Sequence, residues 1–252
     1  MINNSDREMG YDIVMQLWEK DMVRFMRDAS EYGNYNQVLA KMLAPHLGGH
    51  IHVCDAGCGL GYLSLALAPY AGRVTGVERH PAAAAVLVEN CEKLGIKNVI
   101  SRCGPIEELC PEEPYDAMVF SFFGGIDEIL RIAKQQCRGK VFIITRNYTT
   151  HRFSVGSHST GTYGYRTSYD TLTALGIPFR ATTMELEFGQ PFRCLEDARR
   201  FYETYSKDGD KAVITDAFLL NKLVQDPDGK FPYYMPHLRQ MALLIFETKD
   251  IP

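Results

Sequence analysis

The stretch Val53-Cys54-Asp55-Ala56-Gly57-Cys58-Gly59-Leu60-Gly61-Tyr62 decides how this chain is read. Before it, Ile51-His52-Val53-Cys54 is a short apolar run of the kind that forms a buried strand, and after it Tyr62 to Ala71 has a helical pattern. Glycines placed between a strand and a helix let the backbone pass close beneath a ligand. The same alternation continues downstream. Arg73–Val77, Asn98–Arg102, Ala117–Phe120 and Lys140–Thr145 are predicted strands, while Pro81–Leu94, stopped by Gly95, and Ile126–Cys137 are predicted helices. Repeated strand–helix units specify an α/β fold, a doubly wound and mostly parallel sheet with helices on both faces. Thr182–Phe188 and Met241–Glu247 alternate as two further strands.

The flanks divide the chain. Apolar residues at helical spacing predict helices over Tyr11–Arg27 and Asn36–Leu47, so residues 1–49 are read as an N-terminal helical flap. The core is 50–188, completed by 237–252. Residues 189–236 are an insertion between the last two strands, with helices expected near Leu195–Tyr205 and Asp216–Val224. Residues 147–166, rich in Tyr, His, Ser, Thr and Gly, are too long for a plain connector, and such loops are usually functional. Ser168 is the expected N-cap of a helix that ends at Gly176.

Two features of the glycine loop choose its ligand. A dinucleotide site needs Gly-x-Gly-x-x-Gly, and Tyr62 occupies the third of those positions here. Asp55, at the end of the strand, would repel a pyrophosphate but suits a ligand with an α-ammonium group and no phosphate. S-adenosylmethionine (SAM) is such a ligand. Glu78, twenty-one residues beyond Gly57, stands where an acid accepts both ribose hydroxyls.

Val53 to Gly61 resembles the first motif of class I SAM-dependent methyltransferases, and Val77-Glu78 resembles their second, over roughly residues 30 to 145. The resemblance implies a Rossmann-like sheet of seven strands, the sixth parallel and the seventh antiparallel. It implies SAM as cofactor, with Asp55, Gly57, Cys58, Gly59, Gly61 and Tyr62 around its methionine part and Glu78 and Arg79 at the ribose. Gly104, Pro105 and Ile106 would lie near the adenine, with Pro105 where the family often has Asp. Ser121 and Phe122 follow the fourth strand where amino-methylating members carry Asn-Pro-Pro-Tyr, which disfavours adenine in DNA as acceptor.

Ligands of open parallel sheets sit beyond the carboxyl ends of the strands. The flap, the 147–166 loop and the 189–236 insertion, read as a substrate lid, therefore enclose the expected acceptor site. In the loop, His151, His158 and Tyr163 are the candidate catalytic residues, with Tyr148, Tyr165 and Arg166 as polar contacts. A base is needed only if the acceptor must lose a proton.

The formal net charge of −4 argues against a general electrostatic grip on nucleic acid. A small-molecule acceptor is the first expectation. Methylation of RNA or protein, on a groove built from Arg152, Arg166, Arg180, Arg193, Arg199 and Arg200, is the second, and a SAM-binding regulator without transferase activity the third. No span of the roughly 18 apolar residues that a bilayer needs is present, and the first residues lack a signal-peptide pattern. Seven cysteines without a Cys-x-x-Cys pair suggest neither metal nor disulfides. The expected setting is the cytoplasm, and the sequence leaves a homodimer open.

Overall fold

The computed structural model describes residues 20–48, 51–149, 153, 155 and 163–252. Ten strands are defined among these residues: β1 (His52–Ala56), β2 (Arg73–Glu78), β3 (Val99–Cys103), β4 (Tyr115–Ser121), β5 (Cys137–Arg146), β6 (Phe179–Glu187), β7 (Gln190–Phe192), β8 (Val224–Gln225), β9 (Tyr233–Met235) and β10 (Leu238–Glu247). The helices are α1 (Lys20–Tyr32), α2 (Tyr35–Leu43), α3 (Tyr62–Leu67), α4 (Pro81–Leu94), α5 (Ile126–Gln136), α6 (Tyr165–Ala174), α7 (Leu195–Tyr205) and α8 (Asp216–Lys222).

Seven strands form the main sheet in the order β3-β2-β1-β4-β5-β10-β6. The first five strands of that order, from β3 to β5, pair in parallel, and β10 runs antiparallel between β5 and β6. The period-two rule explains the two layers. On β4, Met118 and Phe120 point to the side covered by α5 and α6, where they meet Ile129, Ile132 and Leu172. Ala117 and Val119 point to the other side, where α2, α3 and α4 bring Leu39, Leu43, Leu67 and Leu87. Phe120 and Val119 are both fully buried, so a slip of one residue would gain nothing and would disturb both layers.

β6 and β10 extend further toward their amino ends than predicted, and β10 starts at the carboxyl edge of the sheet, where Met241 pairs with Arg146. The insertion leaves and rejoins the sheet at that same edge, after Glu187 and before Leu238. It contains α7 and α8 as expected. It also contains a small antiparallel sheet, β7-β9-β8, which the apolar periodicity did not reveal because strands of two or three residues carry no pattern.

Helix α1 ties the insertion to the core. Phe25 is 1% exposed and meets Phe192 and Phe201 edge-on, with ring centroids 6.0 and 5.4 Å away. Val23 and Met26, on another side of the helix, pack on Leu60, Ala83 and Val86 beside the glycine loop. Arg24 donates two hydrogen bonds to Asp197, at 3.0 and 2.8 Å, and Arg193 donates two to Asp28. Burial alone would raise the pKa of Asp197, but the hydrogen bonds and charge of Arg24 and the charge of Arg200 outweigh it and hold that carboxyl below its ordinary value. Among the described residues no helix is long and apolar enough to cross a membrane. All seven cysteines are free thiols.

Candidate functional site

Between β1 and α3 the chain turns through three left-handed glycines, Gly57 at φ 68°, Gly59 at 55° and Gly61 at 76°. A side chain in this region costs roughly 1–2 kcal/mol per residue, which is why glycine fits here. Cys58 donates its N–H to the Val77 carbonyl at 2.9 Å, pinning the loop against the end of β2. A Cβ on Gly61 would lie 2.5 Å from Leu87 Cδ1, so this glycine lets α4 press against the loop. A Cβ on Gly57 would lie 2.6 Å from the ring of Phe123, which therefore walls the loop on its β4 side.

Glu78 closes the loop from above. Its Oε2 accepts the Gly59 N–H at 3.0 Å and its Oε1 accepts the His80 N–H at 2.9 Å. Asp55 lies deeper. It is 1% exposed and its Oδ2 accepts the Ser64 hydroxyl at 2.6 Å. Burial pushes its pKa to about 6, against the opposing Ser64 hydrogen bond and with help from the negative charge of Glu78. The half-buried Tyr62 spends its hydroxyl on Glu31 of α1, at 2.8 Å. Burial and that carboxylate push its pKa up. The loop, α1 and the insertion are thus one connected packing unit.

The neighbouring strand ends complete the crevice. Gly104 donates to the Glu78 carbonyl at 3.0 Å, keying the end of β3 to the end of β2. Pro105 starts a 3-10 turn in which Ile106 is 3% exposed, its side chain packed in the core. Arg79 comes within 3.9 Å of Glu107 Oε1, while Glu107 Oε2 and His80 Nδ1 are buried without a partner. After Ser121 at the end of β4, Phe122 adopts φ 53°, an unusual conformation for a bulky residue.

The edge beyond β4, β5 and β10, where an acceptor is expected, is reached by part of the predicted set. Tyr163 is exposed, and its ring faces Gly125 beside a small cavity shared with Phe123, Thr145 and Ser168. His151 and His158 lie outside the described residues. Tyr165 and Arg166 belong to α6 rather than to the loop. The helix starts at Tyr165 with Gly164 as N-cap, so Ser168 is not the cap: it is buried one turn inside, its N–H bonded to the Gly164 carbonyl. Of the six arginines expected to build a basic groove, Arg166, Arg193, Arg199 and Arg200 are paired with Asp170, Asp28, Asp216 and Asp197 respectively. Arg180 pairs with Ile245 near the amino edge of the sheet, away from the crevice.

These residues fit SAM. An ionised carboxylate offers about four lone-pair sites, and the two backbone N–H groups on Glu78 leave room for a ribose diol. The left-handed glycines keep the loop free of side chains beneath the ligand. The buried, unpartnered Glu107 Oε2 and His80 Nδ1 stand beside the ends of β2 and β3, where polar atoms of an adenosine would find them.

Residues 47–170 match the family described as a methyltransferase domain. The chain is 36% identical over 94 residues to a protein-L-isoaspartate O-methyltransferase of Brucella anthropi, covering 37% of this chain and 42% of that protein. It is also 36% identical over 76 residues to an uncharacterized RNA methyltransferase of Nostoc sp., covering 30% of this chain and 16% of that protein. The chain thus spans less than half the length of either relative. Among solved structures, the YcgJ protein of Bacillus subtilis superposes with a TM-score of 0.56 at 15% identity, over 85% of this chain and 98% of that one. A putative methyltransferase of Bacillus halodurans gives 0.55 at 14% identity, over 84% and 98%. At these identities the structural likeness speaks for the fold.

Proposed function

We propose that this chain, whose residues 47–170 match a methyltransferase domain, is a class I SAM-dependent methyltransferase that moves the SAM methyl group to a small molecule held at the carboxyl edge of the sheet, beyond the ends of β4 and β5 and the start of β10. The observation that carries the cofactor half of this reading is Glu78, whose carboxylate is fixed over the glycine loop by the Gly59 and His80 N–H groups. Bound SAM would supply a methyl group already activated on a sulfonium.

What remains for the protein is placement and the exclusion of water. Well-oriented intramolecular reactions show that placement is worth roughly 7–11 kcal/mol of barrier. Glu78 would fix the ribose, and Gly57, Gly59 and Gly61 would let the methionine part lie on bare backbone. Phe123 would wall that end, and Arg79, Gly104 and Pro105 would border the adenosine. Asp55, behind the loop, adds negative charge that favours a cationic ligand. The insertion and α1, joined through Phe25, Phe192 and Phe201, would roof the acceptor, with Tyr163 at its rim.

A small acceptor is favoured because four of the six arginines needed for an RNA-binding groove are already paired with carboxylates. Incubation with SAM carrying a labelled methyl group and a fractionated extract tests this. Label in the small-molecule fraction is expected. Label in RNA or protein would overturn the acceptor class, and no label despite SAM binding would point to a regulator. The cytoplasm and a possible homodimer remain part of this proposal.

A further inference from the structure

Arg239 precedes the buried apolar run of β10 at the carboxyl edge, two residues outside Met241 and on the same side of the sheet as Arg146. Its guanidinium carbon lies 4.2 Å from the centre of the Phe122 ring, 5.0 Å from that of Phe188 and 5.7 Å from that of Tyr35. Nη1 reaches the Tyr35 hydroxyl at a long 3.5 Å. The hydroxyls of Tyr35 and Tyr148 hydrogen-bond to it, that of Tyr205 lies within electrostatic reach, and among the described residues no carboxylate pairs with it. Nε is buried and has no hydrogen-bond partner.

Arg239 as a whole is half-buried, and it is the buried Nε edge that is costly to leave without an acceptor. A cation taken out of water needs an opposite charge, and a buried donor needs an acceptor. The arginines of the α1–insertion contact obey both rules: Arg24, Arg193 and Arg200 all meet carboxylates. Arg239 lies against aromatic rings instead, and among the described residues nothing compensates the charge of its Nε edge. The supporting ring belongs to Phe122, the residue with φ 53°, and such strain persists only where the surrounding structure enforces it. Phe122 directly follows β4, on the side of the crevice where an acceptor is expected.

The edge formed by Nε and its neighbouring Nη offers two parallel N–H donors, the geometry that grips a carboxylate or a phosphate. We propose that the methyl acceptor carries an anionic oxygen group, a carboxylate or a phosphate, which the Nε edge of Arg239 receives while Phe122 and Phe188 lie against the guanidinium. That the ligand is a methyl acceptor rests on the transferase reading; that Arg239 binds an anion does not.

The test is calorimetric titration of benzoate, phenyl phosphate and neutral benzamide into the full chain, with and without S-adenosylhomocysteine. Benzoate or phenyl phosphate should bind at least tenfold more tightly than benzamide, and the tighter of the two names the group. Arg239→Gln should level the three ligands while leaving affinity for S-adenosylhomocysteine within twofold. Equal binding of the three by the unaltered protein, or an anion preference that survives in Arg239→Gln, overturns the proposal. If Arg239→Gln does not fold, Arg239→Lys decides: a point charge without the fork should lose at least fivefold of the preference, and an unchanged preference overturns it. If S-adenosylhomocysteine fails to bind while the anion preference and its loss both stand, the transferase reading falls and the Arg239 assignment survives.

Discussion

Replacing Glu78 by alanine should weaken both the fold and the cofactor complex, by amounts that can be separated. In the free protein the carboxylate accepts two backbone N–H groups, at 3.0 and 2.9 Å, and the residue is 7% exposed. A hydrogen bond to a charged group contributes ~1.5–3 kcal/mol, so losing both sets a ceiling of about 6 kcal/mol. Water entering the vacated space would satisfy those N–H groups and bring the loss toward roughly 1–3 kcal/mol. In the complex the same carboxylate would accept the ribose hydroxyls, and losing them should cost at least ~1.4 kcal/mol, a factor of ten. Glu78→Gln keeps an acceptor oxygen, but it turns an amide donor toward one of the two N–H groups and has no charge. Urea unfolding without ligand reads the first effect, and calorimetric titration with S-adenosylhomocysteine reads the second. Both variants should bind at least tenfold more weakly, with alanine the less stable fold. If Glu78→Ala loses the calculated stability but binds within threefold of the unaltered protein, the ribose assignment is wrong.

Three further perturbations probe the supporting structure. Gly61→Ala combines a left-handed backbone at φ 76° with a Cβ 2.5 Å from Leu87; strain and overpacking together should cost ~2–5 kcal/mol in urea unfolding, and a neutral result would refute the packing role. Asp55 titrates near pH 6 in the folded chain against an ordinary 3.8, so the native state holds its proton longer than the unfolded one and stability should fall as pH rises from about 4 to 6. The total is about 3 kcal/mol. Asp55→Asn should remove that slope, and identical pH profiles for the two proteins would refute it. Phe25→Ala opens the contact between α1 and the insertion, where Phe25 is 1% exposed. The expected loss is ~3–5 kcal/mol, with earlier proteolysis within 189–236 than in the unaltered protein; simultaneous cleavage throughout the chain would contradict a separable roof.

The core was legible because each layer repeats one instruction. β1, β2 and β4 are apolar runs bounded by glycine or proline, and the loop glycines fall where backbone geometry leaves little choice. Glu78 could be picked out because its spacing from the loop is set by one helix and one strand. The contacts of Asp55 could not be read, because Ser64 looks like any helical serine until the helix is laid on the sheet. Ser168 illustrates a competing signal: a good capping residue lost to Gly164, since the helix began one turn earlier. The sheet β7-β9-β8 left no periodic trace in strands of two and three residues. Arg239 left none either, because it lies two residues before the predicted strand Met241–Glu247. Its meaning depended on Phe122, Phe188 and Tyr35 arriving from three distant parts of the chain.

The crevice over Gly57, Gly59 and Gly61 should bind SAM. Thermal unfolding with S-adenosylhomocysteine at about 100 times its dissociation constant tests it most directly. A site of this kind should add ~2.7 kcal/mol and raise the midpoint visibly, and Glu78→Ala should abolish most of the rise. An unaltered midpoint at millimolar ligand would mean that the crevice does not bind SAM.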